Sequence, residues 1–355
     1  MKIIHIAESF VAGCFDFIVE LSNGLPNYQH IIIYGKRETT PNNFKEYFPS
    51  NTEFIYWKNA TREINPKRDL YSLIHLIKIL HKYKADVIHL HSSKAGFLGR
   101  LATSILNIQY KVIYTPHGVS FLRKDVSNFK HKLFIYLEKI GYKLGGKIIA
   151  CSKSEAEEYW KYRIKADYIS NGIRCMPSNL TQEKNQEITI GTIGRITAAK
   201  NPTIFNNIAE KLNVKFLWIG DGELRSELTA KNIEISGWIE RKNIETLLNK
   251  IDIYISTSLW EGLPLSVLQA MCQAKPLVLS DCVGNRDLVK AGYNGFLFSS
   301  LEEAIKYLNI LIENRNKLTE FGNHSQMMAN KVYSLENMLK QYDSLYQKLS
   351  TNKHL

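Results

Sequence analysis

Short apolar, β-branched runs separated by helical stretches constrain this chain more than any other feature. KIIHIA (2–7), HIIIYG (30–35), TEFIYW (52–57), DVIHLH (86–91), KVIYTP (111–116) and KIIACS (147–152) recur in this way. Strand alternating with helix predicts a parallel sheet covered by helices. A polar stretch, SNLTQEKNQE (178–187), interrupts the pattern, which restarts with ITIGTIGR (188–195), KFLWIGDG (215–222), IEISGW (233–238), IDIYISTS (251–258) and KPLVLSDC (275–282) and ends with GFLF (295–298). From Leu301 to about Leu349 only helical spacing remains. The expected fold class is α/β, with two doubly wound, Rossmann-like domains at 1–178 and 179–330 facing a cleft, and a C-terminal helix within 331–355 packing back toward the N-terminal domain. At 355 residues each domain can bury its own core. Ligands in such sheets bind beyond the carboxyl ends of the strands, so motifs at strand ends carry the functional argument.

Hydrophobic residues make up 45% and charged residues 23%, the balance of a folded, water-soluble protein. The cysteines, Cys14, Cys151, Cys175, Cys272 and Cys282, are scattered and never spaced as C-x-x-C. Neither a disulfide framework nor a zinc site is expected, and a reducing cytosol is the expected compartment. The start, MKIIHIAESF, has too short an apolar core for a signal peptide, and no run approaches the ~18 apolar residues of a spanning helix. Net charge is +12; up to residue 170 there are 25 basic and 15 acidic residues, and after it 21 and 19. The basic half is therefore expected to face phosphate groups, an acidic membrane leaflet or nucleic acid.

Four motifs stand at strand ends or beside them. In GTIGRITAAKNP (191–202), Gly191 and Gly194 permit a tight turn, Asn201 and Pro202 read as the N-cap and first residue of a helix, and Arg195 and Lys200 sit on the loop between. A helix N-terminus with two cations makes an anion site, against the alternative that both are solvated loop charges. The spacing is not G-x-G-x-x-G and lacks the acidic ribose partner, so a dinucleotide site is not expected. In STSLWEGLPLSVLQAMCQAKPLV (256–278), Pro264 reads as a first helical residue, which places Glu261, Gly262 and Leu263 in the preceding turn and the amides of Leu265 and Ser266 at a second anion-binding helix end. Leu265, Leu268 and Met271 are expected to pack that helix on its sheet, and Ser266 has capping as its alternative role. TPHGVSF (115–121) brings His117 to a strand end, as a site residue or as a structural one. HLHSSKAGFLGR (89–100) places His91, Ser92, Ser93 and Lys94 before a helix, where a phosphate or sugar would fit. His89 and His91 share a strand face, but without a third ligand no metal is expected.

These residues resemble the retaining glycosyltransferases of family 4, with the two-domain GT-B fold. GRITAAKNP, WIGDGELRSEL and EGLPLSVLQAM carry the resemblance, which covers most of the chain. It implies that Arg195 and Lys200 bind the diphosphate of a nucleotide-sugar, that Glu261 holds hydroxyls of the donor sugar, and that His117 reaches the donor sugar from the other domain. It also implies donor contacts at Gly13, on a loop against the donor phosphates, and at Gly194, Gly262, Leu263, Leu265, Ser266 and Gln269, and acceptor contacts at His91, Ser92, Ser93 and Lys94. The second glutamate of the family's E-x7-E pair is Gln269 here, and the family's double glycine near the N-terminus is reduced to Gly13 in ESFVAGCFDF. An amide accepts one hydrogen bond and donates another where a carboxylate accepts from both ribose hydroxyls, so Gln269 alters donor affinity more than the reaction.

The segment FLRKDVSNFKHKLFIYLEKIGYKLGGK (121–147) holds seven basic residues against Asp125 and Glu138. Phe129, Leu133, Leu137, Ile140 and Leu144 repeat at helical spacing and are expected to face the core, while Lys130, Lys132, Lys139 and Lys143 are either a solvated face or a contact with an anionic leaflet. The expected function is transfer of a sugar, with retained configuration and without a metal or other cofactor, from a nucleoside diphosphate sugar, UDP being the commonest, to an undecaprenyl diphosphate-linked saccharide of an O-antigen or capsule. The expected place is the cytoplasmic face of the inner membrane, peripherally bound. Asp16 and Glu20 read as a solvated helical face and Asp221 as a turn residue. A non-hydrolysing sugar-nucleotide epimerase would crowd its cleft with acidic residues, and a nucleic-acid-binding protein would interleave its cations with aromatics on a reading module; neither pattern is present, and no nucleic-acid partner is expected.

Overall fold

Every apolar run becomes a strand in a computed structural model of the chain, which describes residues 1–37, 39–61, 63–175 and 187–351. The order is β1 (Lys2–Ala7), α1 (Ala12–Gly24), β2 (Gln29–Tyr34), β3 (Glu53–Tyr56), α2 (Pro66–Lys82), β4 (Val87–His91), α3 (Ser93–Ile105), β5 (Val112–Thr115), α4 (Asn128–Lys143), β6 (Lys147–Ala150), α5 (Lys153–Lys161) and β7 (Asp167–Tyr168). There follow β8 (Thr189–Ile193), α6 (Pro202–Lys211), β9 (Lys215–Ile219), β10 (Ile233–Ile235), α7 (Ile244–Asn249), β11 (Ile253–Ser256), α8 (Leu265–Cys272), β12 (Leu277–Ser280), α9 (Asn285–Leu288), β13 (Gly295–Phe298), α10 (Leu301–Glu313), α11 (Arg315–Lys331) and α12 (Leu335–Thr351). Only β7 has no counterpart among the apolar runs; it is two exposed residues long.

The chain divides into two units, one of Met1–Leu122, Val126–Asn171 and Leu335–Leu355, the other of Arg123–Asp125 and Gly172–Ser334. The boundary expected at 178/179 lies outside the described residues. The first unit holds a parallel sheet of order β3-β2-β1-β4-β5-β6-β7, the second one of order β10-β9-β8-β11-β12-β13. In each the order reverses beside the unit's first strand, between β1 and β4 and between β8 and β11, which makes a switch point where ligands bind.

Period-two alternation divides the first sheet's side chains between two cores. Ile4, Ile6, Ile88 and Leu90 pack beneath α2 and α3, while Ile3, Ala7, Val87 and Ile113 pack with α1 and with Met338, Tyr342 and Tyr346 of α12. In the second unit, α6 and α10 cover Ile190, Phe216, Trp218, Ile253 and Val278.

Two expectations fail. The apolar stripe of α4 does not face the core: Phe129 is 77% exposed, Tyr136 is 61% exposed, and Leu133, Leu137, Ile140 and Leu144 are only half-buried. The buried residues of α4 are Glu138 and Gly141. Glu138 accepts from Arg100 at 2.9 Å and from the Tyr114 hydroxyl at 2.9 Å, and a Cβ on residue 141 would stand 2.4 Å from the Arg100 guanidinium. A buried guanidinium needs a carboxylate and room, and that requirement turned the helix. The second failure concerns the cysteines, among which no disulfide was expected: Cys175 and Cys272, 97 residues apart, are bonded, with Cα atoms 5.1 Å apart. Their pairing follows from the fold and leaves no trace in cysteine spacing.

Candidate active site

In the second unit the site is built from two turns at the switch point. Gly194 ends β8 with φ +153°, and the loop runs through Arg195 to Lys200 before Asn201, in left-handed conformation, caps α6 ahead of Pro202. The turn after β9 lies close against it: a Cβ on residue 220, whose φ is +135°, would stand 2.3 Å from the Gly194 carbonyl oxygen. Asp221 accepts from the Gly222 amide and pairs with Arg225, the turn role expected of it. From β11, the Thr257 hydroxyl donates to the carbonyls of Lys200 and Asn201 at 2.7 and 3.1 Å, and the Leu259 amide to that of Ala199.

Lys200 Nζ meets Glu261 Oε1 at 2.6 Å, and the Ser258 hydroxyl donates to the same oxygen at 2.7 Å. Burial draws the Lys200 pKa down, the Glu261 carboxylate draws it up, and the net shift is upward, so the ammonium stays charged. Arg195 is more open and pairs with Glu223 at 3.1 Å. The helix after Glu261 begins at Leu265, one position later than expected, and Pro264 is its N-cap because its ψ of 116° is extended. The Val267 and Leu268 amides bond back to the Pro264 carbonyl, leaving those of Leu265 and Ser266 as the helix's first donors. Leu263, Leu268 and Met271 are buried, whereas Leu265, expected in the core, is half-buried beside Ser266 and Gln269. Ser266 makes no capping bond. Lys200, Glu261, Gly262 and the start of α8 thus come together, while Arg195 turns to Glu223 in the turn after β9.

In the first unit, His117 follows β5 with φ +55°, and the turn continues through Gly118 at φ +89°. Three groups hold this turn. His91 Nδ1 lies 3.0 Å from His117 Nε2, Cys151 Sγ lies 3.4 Å from His117 Nδ1, and Glu155 Oε1 accepts from the Gly118 and Val119 amides at 2.8 and 2.9 Å. The second Glu155 oxygen accepts from the Cys151 amide. Burial raises the Glu155 pKa to about 7 against the pull of these three donors. Sequence reasoning missed Glu155, although SKSE (152–155) has the spacing of a capping box and Ser152 caps α5.

His91, expected to meet an acceptor, is fully buried and bonded on both sides by His5 and His117. Its strand position turns it inward beneath α12. Ser92 takes φ +75° and donates to Glu8, Ser93 Oγ accepts from the Ser120 amide, and Lys94 pairs with Asp69 at 2.8 Å and donates to the Glu63 carbonyl. These three side chains tie the strand end to the segment after β1, the turn after β5 and the start of α2. Gly13 is exposed in the first turn of α1, and the left-handed residue there is its neighbour Ala12, at φ +48°. Trp238, 64% exposed just after β10 and Gly237, was also overlooked; an apolar residue following a strand-ending glycine was its signal.

The expected lack of a third metal ligand does not hold: His5, His89 and His91 bring ring nitrogens within 4.8 Å of one another, as do Cys14, His91 and His117 with their ligand atoms. Each ring nitrogen of the first trio already has a protein partner, His89 bonding Tyr346 and Thr115.

Two Rossmann-like parallel sheets, each with its polar cluster at the switch point, define a GT-B fold. Residues 16–175 match the family model described as Glycosyltransferase Family 4, and residues 178–328 that described as Glycosyl transferases group 1. The chain belongs to these glycosyltransferases. It is 28% identical to an Escherichia coli UDP-Gal:alpha-D-GlcNAc-diphosphoundecaprenol alpha-1,3-galactosyltransferase, over 90% of this chain and 89% of that protein. It is 25% identical to the capsular polysaccharide biosynthesis glycosyltransferase CapM of Staphylococcus aureus, over 85% and 87%. Among solved structures, Anabaena HepE in complex with UDP and glucose superposes with a TM-score of 0.80 at 17% identity, covering 98% of this chain and 100% of that one, a likeness of fold.

Proposed function

We propose that this glycosyltransferase moves a sugar from a UDP-sugar to a lipid-linked saccharide in bacterial O-antigen or capsule synthesis, retaining the anomeric configuration and needing no metal ion. The observation that carries the reading is the Lys200–Glu261 contact, which joins two turns of the second unit's switch point beside the first amides of α8. Arg195, Lys200 and the amides of Leu265 and Ser266 stabilise charge on the departing diphosphate as the anomeric C–O bond breaks, the role a divalent cation plays elsewhere. The acceptor hydroxyl attacks the same face, and its proton passes to a phosphate oxygen of the leaving group. Glu261 accepts hydrogen bonds from sugar hydroxyls, the turn that His117 holds in place orients the sugar, and the exposed Trp238 offers a π-face for the base.

The donor of the E. coli relative and the ligand of the Anabaena structure support UDP, and the former's acceptor supports a diphosphoundecaprenol-linked saccharide. No described helix is long and apolar enough to cross a membrane. A peripheral site at the cytoplasmic face of the inner membrane is supported instead by α4, where exposed Phe129 and Tyr136 stand among exposed Lys130, Lys132, Lys139 and Lys143.

The test is thermal denaturation with UDP, GDP, ADP, CMP and NAD, each with magnesium or EDTA, because a ligand of the native state raises the melting temperature. A rise with UDP that survives EDTA is expected. No rise with any nucleoside diphosphate, or full turnover in the doubly substituted Arg195→Ala/Lys200→Ala protein, overturns the donor site.

A further inference from the structure

Four buried or half-buried imidazoles of the first unit stand in one unbroken row. His30 Nε2 lies 3.0 Å from the carbonyl oxygen of Leu25; His30 Nδ1 lies 3.2 Å from His5 Nε2; His5 Nδ1 lies 3.1 Å from His91 Nε2; and His91 Nδ1 lies 3.0 Å from His117 Nε2. The row ends where His117 Nδ1 meets Cys151 Sγ at 3.4 Å. Three strands contribute: β1, β2 and β4 carry His5, His30 and His91, and the turn after β5 carries His117. Successive rings from His30 to His117 lie edge to edge, their planes within 20 to 26° of each other and their centroids 5.3 to 5.4 Å apart.

A neutral imidazole has one N–H and one acceptor nitrogen, so a row of them must point one way. The carbonyl of Leu25 can only accept, which fixes the direction. His30 donates from Nε2, and its Nδ1 must accept from His5 Nε2–H. His5 Nδ1 then accepts from His91 Nε2–H, His91 Nδ1 from His117 Nε2–H, and His117 Nδ1 from the Cys151 thiol. Any other tautomer sets two donors or two lone pairs against each other in a dry interior, and a protonated ring does the same.

The surroundings favour neutrality. Around the row stand Cys14 and Phe17 of α1, Tyr342 and Tyr346 of α12, Thr115 of β5 and His89 of β4; of the carboxylates at this end of the sheet, Glu155 is engaged by backbone amides, and Glu8 pairs with Arg37 and accepts from Ser92. Burial holds His5 and His91 well below the usual histidine range and lowers His30, His117 is pushed down to about 3, and burial lifts the Cys151 thiol so that it keeps its proton.

We infer that His30, His5 and His91 form a one-way hydrogen-bond chain that locks His117 as the neutral Nε2–H tautomer with both ring nitrogens engaged. His117 then works by position rather than by exchanging a proton, and His5 and His30, two and three hydrogen bonds away, are positioning residues for the transfer. This consequence rests on the proposed role of His117 at the donor sugar; the tautomer lock does not.

Two-bond proton–nitrogen NMR of the full chain labelled at histidine nitrogens reads each tautomer directly. His5, His30, His91 and His117 are expected as Nε2–H rings that do not titrate between roughly pH 6 and 9. A single one of them found as Nδ1–H, or titrating in that range, overturns the chain, and so does a stoichiometric transition metal in the purified protein. The His30→Phe variant removes the anchor: His117 should then show a mixture of tautomers, and kcat should fall about tenfold while the donor KM stays within about a factor of two. His30→Gln, whose amide can donate to Leu25 and accept from His5, should restore both the single tautomer and the turnover. Wild-type turnover with His30→Phe overturns the positioning role. If the unsubstituted protein transfers no sugar from any nucleotide-sugar, the transferase reading fails while the NMR result still decides the chain.

Discussion

The two units treat their polar groups in opposite ways. In the first, Arg100 lies buried against Glu138, Glu155 against backbone amides, and a row of histidines against one another. In the second, Lys200 and Glu261 pair half-buried and Arg195 and Glu223 pair exposed, in the turns that follow β8, β9 and β11. The difference teaches that one unit satisfies its polar groups in a dry interior, while the other leaves its ion pairs partly solvated. Damage to the buried Arg100–Glu138 pair of the first should register as lost stability, damage to the ion pairs of the second as lost turnover in a folded protein.

Acid is the strongest probe of that contrast. His5, His89, His91 and His117 are held below their ordinary range, so between about pH 6.5 and their native values the unfolded chain binds protons that the folded chain refuses. Stability should therefore fall as pH falls below about 6.5, by ~2 kcal/mol per silent ring at pH 5 relative to pH 7. Glu155, raised to about 7, acts in the opposite sense over part of this window, as one group against four. Urea denaturation at the two pH values measures the sum; equal stability would break the comparison.

Glu138→Ala is the next largest. It leaves Arg100 charged and buried without its carboxylate, and should cost about 3–5 kcal/mol. Lys200→Ala removes a comparable pair from the other unit yet should shift stability by less than about 1 kcal/mol, because that site remains partly solvated. Its turnover should instead drop ~10²–10³-fold, the usual loss on removing one preorganised charge-stabilising group. Parallel melting and activity assays on the two variants sharpen the contrast, and equal melting temperatures would undo it. The smallest effect is expected of Ala12→Gly, which relieves a left-handed alanine at the start of α1 and should stabilise by up to about 1 kcal/mol.

How legible each site was follows from how local it is. Lys200 and Glu261 lie in turns directly after β8 and β11, so their glycines, prolines and charges stand together as motifs in the sequence itself. The first unit's site was legible only at His117. His91 was read as reaching outward because a strand end invites it, but its alternation in β4 turns it inward with His89. His5 and His30 carried no signal in their own runs beyond a polar residue among isoleucines.

By itself the amino-acid sequence determined the order and type of the elements, the two parallel sheets and the turns at the second switch point, because hydrophobic period, helix starts and glycine turns are properties of neighbouring residues. Tertiary structure alone decided the bond between Cys175 and Cys272, the inward face of α4 and the row that ends at His117. Those features join residues tens to hundreds of positions apart, and the free energy that selects them, a buried charge satisfied or a polar ring paired, exists only once the fold has brought the partners together.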